Sequence, residues 1–314
     1  MSHQENYANK IAGILQERGV APNPTENSIS IASSAMLVEL SIKGWTARKL
    51  DKKVSAEVDV DKHTKTRAGN YNKNLLAGTG FLDTITKYAS NARGWHNAQT
   101  LAWSDNGLRL LPVGNFVAYK KQLATLEANY QALVDKFIEA YPNLVSAAAF
   151  QLGNLFDRTE YPDADKVRSK FAFEYTFMPV PTAGSFLPDL VEEAKREVLE
   201  NCNNAYEQRL ANAMKEAWDR LHDCLSRMSE RLEVDVVDGE EKPKVFRDSL
   251  VENANEIVGL LTHFNLTKDE KLEDARRMLE YRMANVSAEG LRDNLTFRSA
   301  VKHDVDSILS KFNF

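Results

Sequence analysis

The side chains that could bind a metal ion are scattered along this sequence. The six histidines are His3, His63, His96, His222, His263 and His303. Asp219 and His222 have the i, i+3 spacing that places two ligands on one face of a helix, but no second matching pair accompanies them. We therefore interpret this pair as part of a solvated helix face and expect no metal site.

The sequence also lacks the usual signatures of catalytic and nucleotide-binding sites. Gly78-Thr79-Gly80 has neither the further glycine nor the Lys-Ser/Thr pair of a phosphate-binding loop. The Gly-x-Ser-x-Gly turn of serine hydrolases and the His-Glu-x-x-His pair of metalloproteases are both missing. Cys202 and Cys224 would lie about 33 Å apart on one helix, and we interpret both as small packing residues. The sequence therefore predicts no catalytic residue and no cofactor.

Positive charge is concentrated in one part of the chain. From Lys43 to Lys121 there are 14 Lys and Arg residues against 6 Asp and Glu residues, whereas the whole chain has 40 against 45 and a net charge of −5. Cations neutralise phosphates, so a basic region of this kind is typical of proteins that bind nucleic acid. The candidate nucleic-acid-binding residues are Lys43, Arg48, Lys49, Lys52, Lys53, Lys62, Lys65, Arg67 and Lys73.

Aromatic residues are interleaved with these cations and leave more than one interpretation open. Trp45, Tyr71, Phe81, Tyr88 and Trp95 could stack on unpaired bases, as in proteins that bind single strands. Phe81, Tyr88 and Trp95 also fit a helical packing stripe, so we expect most of these rings in the core. The cations themselves can be solvated faces, or they can meet an acidic protein surface, including that of another subunit.

The composition favours a mainly helical globular protein. The chain has 314 residues, of which 43% are hydrophobic and 27% charged, and its 14 glycines and 9 prolines are few for a protein rich in tight turns. Two cysteines give no disulfide framework. No window approaches the roughly 18 to 20 apolar residues of a membrane span, and residues 1–9 lack the apolar core of a signal peptide. We therefore expect a cytoplasmic protein without a membrane segment.

The elements expected before residue 186 mix helices with a few strands. Hydrophobic periodicity predicts helices over 4–18, 72–99, 116–141 and 144–152. Alternation predicts strands over 29–42 and 171–178. Pro142 is expected to end the third helix. Ser104-Asp105-Asn106-Gly107 is a strong turn signal whose flanks should pair as a small hairpin, with Arg109 as the one charge that pairs across it.

The segment from Pro188 to Leu232 differs in kind, because its 45 residues contain no glycine and no internal proline. Apolar and small side chains recur along it near the heptad spacing of a coiled coil. These seam residues include Leu190, Ala194, Val198, Leu210, Ala217, Leu221, Met228 and Leu232. A helix of about 65 Å is too long for one compact core to cover. We expect residues 245–264 to fold back antiparallel onto it, or a neighbouring subunit to cover it.

Thr267 and Glu270 have the spacing of a capping box, which predicts a further helix from Lys268 to Met283. Residues 287–314 are expected to supply one or two terminal helices. The C-terminal part of the chain is therefore predicted to be helical throughout.

Several segments between Ser41 and Phe186 are distinctive in both composition and order. They are 41–49 (SIKGWTARK), Trp95-His96, 100–112 (TLAWSDNGLRLLP), Asn115-Phe116 with Tyr119, and 173–186 with its PVPTAG core. Taken together, they resemble a family of uncharacterised tailed-phage and prophage proteins, known as a domain of unknown function. The resemblance covers about residues 41–186 and does not extend to the helical remainder.

The resemblance implies a phage origin and an accessory role. Members of that family are often encoded near a MoxR-type AAA+ ATPase and a von Willebrand A-type protein. The family supplies no catalytic residue to transfer. After PVPTAG, where an acidic residue and an arginine are expected, this chain has Ser185, Phe186 and Leu187, so the role of that pair does not carry over.

These observations predict a mainly α protein with a small β element. We expect a mixed α+β part over 1–186, with its basic region at 43–121, and a long antiparallel, coiled-coil-like helical hairpin with terminal helices over 187–314. The favoured function is that of a non-enzymatic phage-encoded accessory protein, cytoplasmic in the infected bacterium, which forms homo-oligomers and binds a macromolecular partner. One alternative is a single-stranded nucleic-acid-binding factor in phage DNA metabolism. Another is an adaptor or substrate of a MoxR-type AAA+ ATPase.

Overall fold

The computed structural model describes residues 31–105, 107–181, 191–237 and 240–312. Over these residues the protein is mainly helical with a small antiparallel β part, which confirms the predicted fold class. The helix predicted over 4–18, the seam residue Leu190 and the predicted division between residues 186 and 187 lie outside the described residues.

The helices and strands alternate in the first half of the chain, and helices dominate the second half. The strands are β1 (Ala35–Lys43), β2 (Arg48–Leu50), β3 (Asn72–Asn74), β4 (Leu101–Ala102), β5 (Arg109–Pro112), β6 (Ala172–Pro179), β7 (Val234–Val237) and β8 (Glu240–Pro243). The α-helices are α1 (Lys52–Asp61), α2 (Phe81–Ala98), α3 (Phe116–Leu152), α4 (Ala164–Arg168), α5 (Glu192–Leu232), α6 (Ser249–Phe264), α7 (Glu270–Met283), α8 (Ala288–Asp293) and α9 (Leu295–Lys311).

The chain forms two compact units, and each is assembled from separate stretches of sequence. The C-terminal unit comprises the described parts of Met1–Glu39, Asn97–Val117 and Phe177–Phe314. The central unit comprises Leu40–His96 and Ala118–Thr176. Residues 97–117 thus belong with the C-terminal helices, and residues 118–176 belong with residues 40–96.

The C-terminal unit is built around α5, with α6 and α9 antiparallel to it. At one end, the Arg298 guanidinium contacts the Leu232 carbonyl (2.9 Å) and the ring of Phe246 (5.2 Å). Towards the other end, Arg220 lies over Phe264 (5.2 Å), and the rings of Trp218 and Phe312 are 6.1 Å apart. From the first of these ends to the second, residue numbers decrease along α5 and increase along α6 and α9. Both helices therefore run antiparallel to α5. The predicted antiparallel hairpin is confirmed, and α9 adds a third long helix.

Arg298 closes the C-terminal end of α5 from inside this core. Its side chain is 2% exposed, and Nε donates to the Leu232 carbonyl at 2.9 Å. Nη2 donates to the carbonyls of Arg231 (2.6 Å), Glu233 (3.3 Å) and Lys244 (2.6 Å). The last carbonyls of a helix have no partner within the helix, so one cation satisfies the end of α5 and ties it to the segment that follows β8. Burial lowers the pKa of Arg298 below its ordinary value.

The central unit packs α2 against α3 around a core rich in aromatic rings. Tyr130, Phe137 and Tyr141 of α3 are buried, and Trp45 lies 6.4 Å from Phe137 and 5.9 Å from Tyr141. The prediction that Pro142 ends the third helix was wrong, because α3 continues to Leu152. Pro142 is exposed, so water can satisfy the carbonyl that loses its N–H partner. Continuing the helix buries Val145 and Ala148.

A four-stranded sheet in the order β4-β5-β1-β6 supplies most of the β structure. Leu110 of β5 lies opposite Leu37 on one side and Leu101 on the other. The predicted hairpin around residues 104–107 is confirmed by the pairing of β4 with β5. The strand predicted over 29–42 begins only at Ala35, because residues 31–34 are helical. The start of α7 also differs, since Asp269, not Thr267, caps it by accepting from the N–H groups of Lys271 and Leu272.

Candidate nucleic-acid interface

Four consecutive elements of the central unit carry the basic residues. β2 pairs antiparallel with β3, and Lys49 lies opposite Lys73. Between the two strands come α1 and an exposed loop over 62–70. Asp51 holds the start of α1, because its Oδ1 accepts from the backbone N–H groups of Lys53 and Val54, both at 3.1 Å. The pKa of Asp51 is lowered by these hydrogen bonds and by Lys73, against the opposing effect of burial.

Seven of the nine predicted cations lie together along these elements with exposed side chains. We call them the basic surface: Arg48, Lys49, Lys52, Lys53, Lys62, Lys65 and Arg67. Lys62 pairs with its neighbour Asp61 at 2.9 Å. The other six form no ion pair and no side-chain hydrogen bond with any residue that the structure describes. Lys43 is separate from this group, because it pairs with Glu174 of β6 at 2.8 Å.

Lys73 lies in the interior rather than on the basic surface. Its side chain is 5% exposed, and Nζ lies 2.7 Å from Glu160 Oε2, 3.2 Å from Asp51 Oδ2 and 2.9 Å from the Leu155 carbonyl. Burial alone would lower the pKa of Lys73, but the two carboxylates outweigh it and hold the pKa above 10.5. Lys73 therefore joins β3, the cap of α1 and the turn after α3, and it is engaged within the protein.

The acidic residues of the same segment are largely occupied within the protein. Asp51 faces Lys73, and Asp61 pairs with Lys62. Asp59 Oδ1 accepts from Thr64 Oγ1 and from the Ala68 backbone N–H, both at 3.2 Å, which orders the loop. The loop thus exposes its basic side chains, while Asp51, Asp59 and Asp61 of the neighbouring α1 segment contact their own backbone or a neighbouring side chain.

Lys52 and Lys53 are placed where α1 itself disfavours them. The N-terminus of a helix carries a partial positive charge, which makes each cation there unfavourable by roughly 0.3 to 1 kcal/mol. The first turn of α1 contains no acidic residue. Because Asp51 already caps the backbone N–H groups of Lys53 and Val54, a bound anion would meet the two lysine side chains here and not those N–H groups.

Three of the five aromatic residues in the basic region, Trp45, Tyr88 and Trp95, are half-buried, whereas Tyr71 and Phe81 are exposed. Trp95 stacks on Tyr119 with ring centroids 4.9 Å apart, and Trp45 packs on α3. Phe81 is 36% exposed and lies 6.3 Å from Phe137. Tyr71 is 40% exposed and makes no ring contact with the described residues, while its backbone bonds to Asp51 and to Ser55 Oγ. Tyr71 is therefore an exposed ring that lies between the cations of the basic region in sequence.

The predicted seam of α5 divides into a covered half and an open half. Leu210 is 8% exposed, and Ala217, Leu221, Met228 and Leu232 are fully buried. In the preceding 18 residues of α5, Ala194 is partly buried and Val198 is 37% exposed. Val191, just before the helix, is 78% exposed. The helices of the C-terminal unit therefore cover only the second half of the seam.

Arg109 takes part in a charged cluster that the hairpin motif alone did not reveal. Its guanidinium bonds to Thr100 and lies 3.1 Å from Glu216 of α5. Arg220 also reaches Glu216 at 2.6 Å and donates to the carbonyls of Ala98, Asn97 and Thr100. Burial alone would raise the pKa of Glu216, but the Ala102 N–H and the two arginines outweigh it and lower the pKa. This cluster fastens the start of β4 to α5.

The described residues contain no group of metal ligands, and of the two free cysteines Cys202 is exposed and Cys224 is partly buried. Lys215 pairs with Asp219 at 2.5 Å, and no group of three or more His, Cys, Asp or Glu residues in the described ranges could hold a metal ion. A shallow groove of about 310 Å³ lies between α5 and α6 and is lined by Cys224. Burial raises the pKa of the Cys224 thiol to about 11, so this thiol stays protonated and unreactive near neutral pH.

Comparisons with known proteins add no relative for this chain. No protein-family model, no curated protein and no solved structure matches it. The resemblance to tailed-phage proteins therefore stays a prediction. None of the described helices has both the length and the apolar character needed to cross a bilayer.

Proposed function

We propose that the protein binds nucleic acid through the basic surface of its central unit. The observation that carries this proposal is the set of six exposed cations on β2, α1 and the following loop that have no partner among the described residues. A protein usually disperses or pairs such charges, whereas a row of unpaired cations on neighbouring elements suits contact with successive phosphates. Backbone phosphates carry no sequence information, so the binding is expected to depend weakly on sequence.

Charge reversal at the start of α1 is expected to weaken this binding. In the variant Lys52→Glu/Lys53→Glu, affinity for DNA at about 50 mM salt should fall at least about 10-fold, because two phosphate contacts become repulsive. The slope of log affinity against log salt should become shallower by roughly 1.4 to 1.8. Acidic residues suit a helix N-terminus, so the variant should remain folded. Fluorescence anisotropy with labelled oligonucleotides measures both quantities.

A matched control keeps the change in net charge the same. Arg247→Glu/Lys271→Glu alters two exposed cations of the C-terminal unit and should leave affinity within about twofold of wild type. The proposal fails if the wild-type protein binds neither single-stranded nor duplex DNA at low salt. It also fails if the two double variants lose affinity equally, since the loss would then reflect net charge and not the basic surface.

Self-association is a second candidate, favoured by the open half of the α5 seam. Val191 and Val198 are exposed along a helix that continues about 27 Å before its first buried residue, Leu210. An apolar stripe on an extended helix suits pairing with a second copy. Val198→Glu is expected to abolish any dimer, whereas Val245→Glu, at an 87% exposed position of the same unit, should not. Multi-angle light scattering over a range of concentrations tests this, and a strict monomer at high concentration contradicts it.

The role of an accessory protein, cytoplasmic in a phage-infected bacterium, rests on the family resemblance alone. The same is true of the adaptor or substrate role with a MoxR-type AAA+ ATPase. A pull-down from infected cells, analysed with and without nuclease, separates these hypotheses. Partners lost after nuclease treatment indicate nucleic acid, and an ATPase retained after it indicates the adaptor role.

A further inference from the structure

The C-terminal end of α3 is partly exposed and carries no charged side chain of its own. From Ala140 to Phe156 the sequence contains no Asp, Glu, Lys or Arg, in a chain that is 27% charged. Phe150 is 91% exposed there, and its ring contacts no other aromatic ring of the described residues. Its exposed neighbours on the helix include Ser146 and Ala149. A single exposed apolar ring is common on protein surfaces, so what distinguishes Phe150 is its surroundings: the uncharged helix end that carries it and the cations of the same unit.

A glycine-rich turn extends this uncharged surface beyond the helix. An added Cβ at Gly78 would lie 3.8 Å from the side chain of Gln151, so the turn over 78–80 lies beside the residue that follows Phe150. Gly78 and Gly80 have φ of +77° and +68° and are exposed. Phe81 follows them and is 36% exposed. We call Gly78, Gly80, Phe81, Ala149 and Phe150 the uncharged patch.

The uncharged patch and the basic surface belong to the same unit and are linked through Lys73. The Leu155 carbonyl, just after α3, accepts from Lys73 Nζ at 2.9 Å. Lys73 lies opposite Lys49 in the β2–β3 pair, next to Arg48. The helix end that carries Phe150 is therefore fastened to the hairpin that carries the first cations of the basic surface.

We infer that Phe150 stacks on an unpaired base of a nucleic-acid strand whose phosphates lie on the basic surface. This inference rests on the proposed function and specifies its substrate class as a single strand. The two surfaces match the two chemistries of such a strand, because phosphates need cations and the faces of bases need an uncharged aromatic platform. A duplex hides its base faces, so it can use only the cations.

Replacing Phe150 with alanine tests the inference without disturbing the fold, because the ring is exposed and alanine favours a helix. Affinity for a labelled oligo-dT of about 20 nucleotides should fall roughly 5- to 100-fold, the cost of one lost stacking contact. Affinity for a duplex of the same length should stay unchanged. Phe150→Trp should retain the affinity, and its additional tryptophan emission should be quenched when oligo-dT binds.

The matched control is Tyr281→Ala, which removes a ring that is 78% exposed in the C-terminal unit and should not change either affinity. If Phe150→Ala binds oligo-dT like wild type while Lys52→Glu/Lys53→Glu does not, the inference is overturned and the proposed function stands. Equal wild-type affinity for the single strand and the duplex also overturns it. If the wild-type protein binds neither, the proposed function falls, and the inference falls with it.

Discussion

Replacing Arg298 with methionine is expected to lower the free energy of unfolding of the C-terminal unit by about 3 to 5 kcal/mol. Methionine fills much of the same space but donates no hydrogen bond. The carbonyls of Arg231, Leu232 and Lys244 would lose the donors that now lie 2.6 to 2.9 Å away. Each buried carbonyl left unsatisfied costs roughly 1 to 3 kcal/mol. Urea denaturation followed by circular dichroism measures the change.

Lysine at position 298 is expected to recover only part of this loss. A lysine keeps the charge, but it cannot spread its donors over four carbonyls as the planar guanidinium does. The control is Arg292→Met, because Arg292 also lies over Phe246 (5.0 Å) but is exposed and pairs with Asp248. The exposed ion pair between Arg292 and Asp248 should contribute at most about 1 kcal/mol to the free energy of unfolding. If Arg298→Met and Arg292→Met cost the same, the carbonyl contacts of Arg298 do not stabilise the end of α5.

Replacing Lys73 with methionine is expected to destabilise the central unit by about 3 to 5 kcal/mol at neutral pH. The change leaves Asp51 and Glu160 with no cation between them, although both carboxylates are only 13% exposed. It also removes the donor to the Leu155 carbonyl. The control is Lys49→Met, since Lys49 faces Lys73 across the strand pair but is exposed. A loss in Lys73→Met no greater than in Lys49→Met would contradict the prediction.

The pH dependence provides a second test of the same site. In the wild type, the lowered pKa of Asp51 stabilises the fold above its ordinary value of 3.8, and this contribution is lost as the pH falls through the lowered pKa. The raised pKa of Lys73 stabilises the fold below 10.5, and this contribution is lost as the pH rises through the raised pKa. In Lys73→Met one unpaired carboxylate can take up a proton. The difference in free energy of unfolding between the wild type and the variant should therefore shrink as the pH falls from about 7 to about 4.5. If that difference stays constant over this pH range, the loss of stability does not come from the missing ion pairs of Lys73.

The features that the sequence predicted well have a strong local signal. The long α5 follows from 45 residues without a helix-breaking residue, and its antiparallel packing follows from the seam at Leu221, Met228 and Leu232. The β4–β5 hairpin follows from the turn residues 104–107. Pro142 shows the limit of such signals, because its exposed position and the burial of Val145 outweigh the lost hydrogen bond.

The candidate site depends on contacts between residues that are distant in sequence, which no local pattern encodes. Lys73 looks like any other cation of the basic region until Glu160, 87 positions later, is found beside it. Phe150 lies on a helix whose apolar composition suggests a core position, and only the packing of the opposite face of that helix leaves it exposed. The absence of charge from 140 to 156 is the one sequence signal that could have indicated this surface.

The interleaved units also impose an order on folding during synthesis. The central unit is complete once Thr176 has left the ribosome, whereas the C-terminal unit needs α9, which ends at Lys311. At roughly 5 to 20 residues per second, the ribosome takes on the order of 10 seconds to make the rest of the chain. Until Leu232 has been made, 56 residues after Thr176, residues 97–117 have no complete α5 to pack against, and Leu101 and Leu110 lack the cover of that helix. The β4–β5 hairpin is therefore the part of the nascent chain that waits for its packing partner, and we expect it to be exposed to aggregation and proteolysis until α5 is complete.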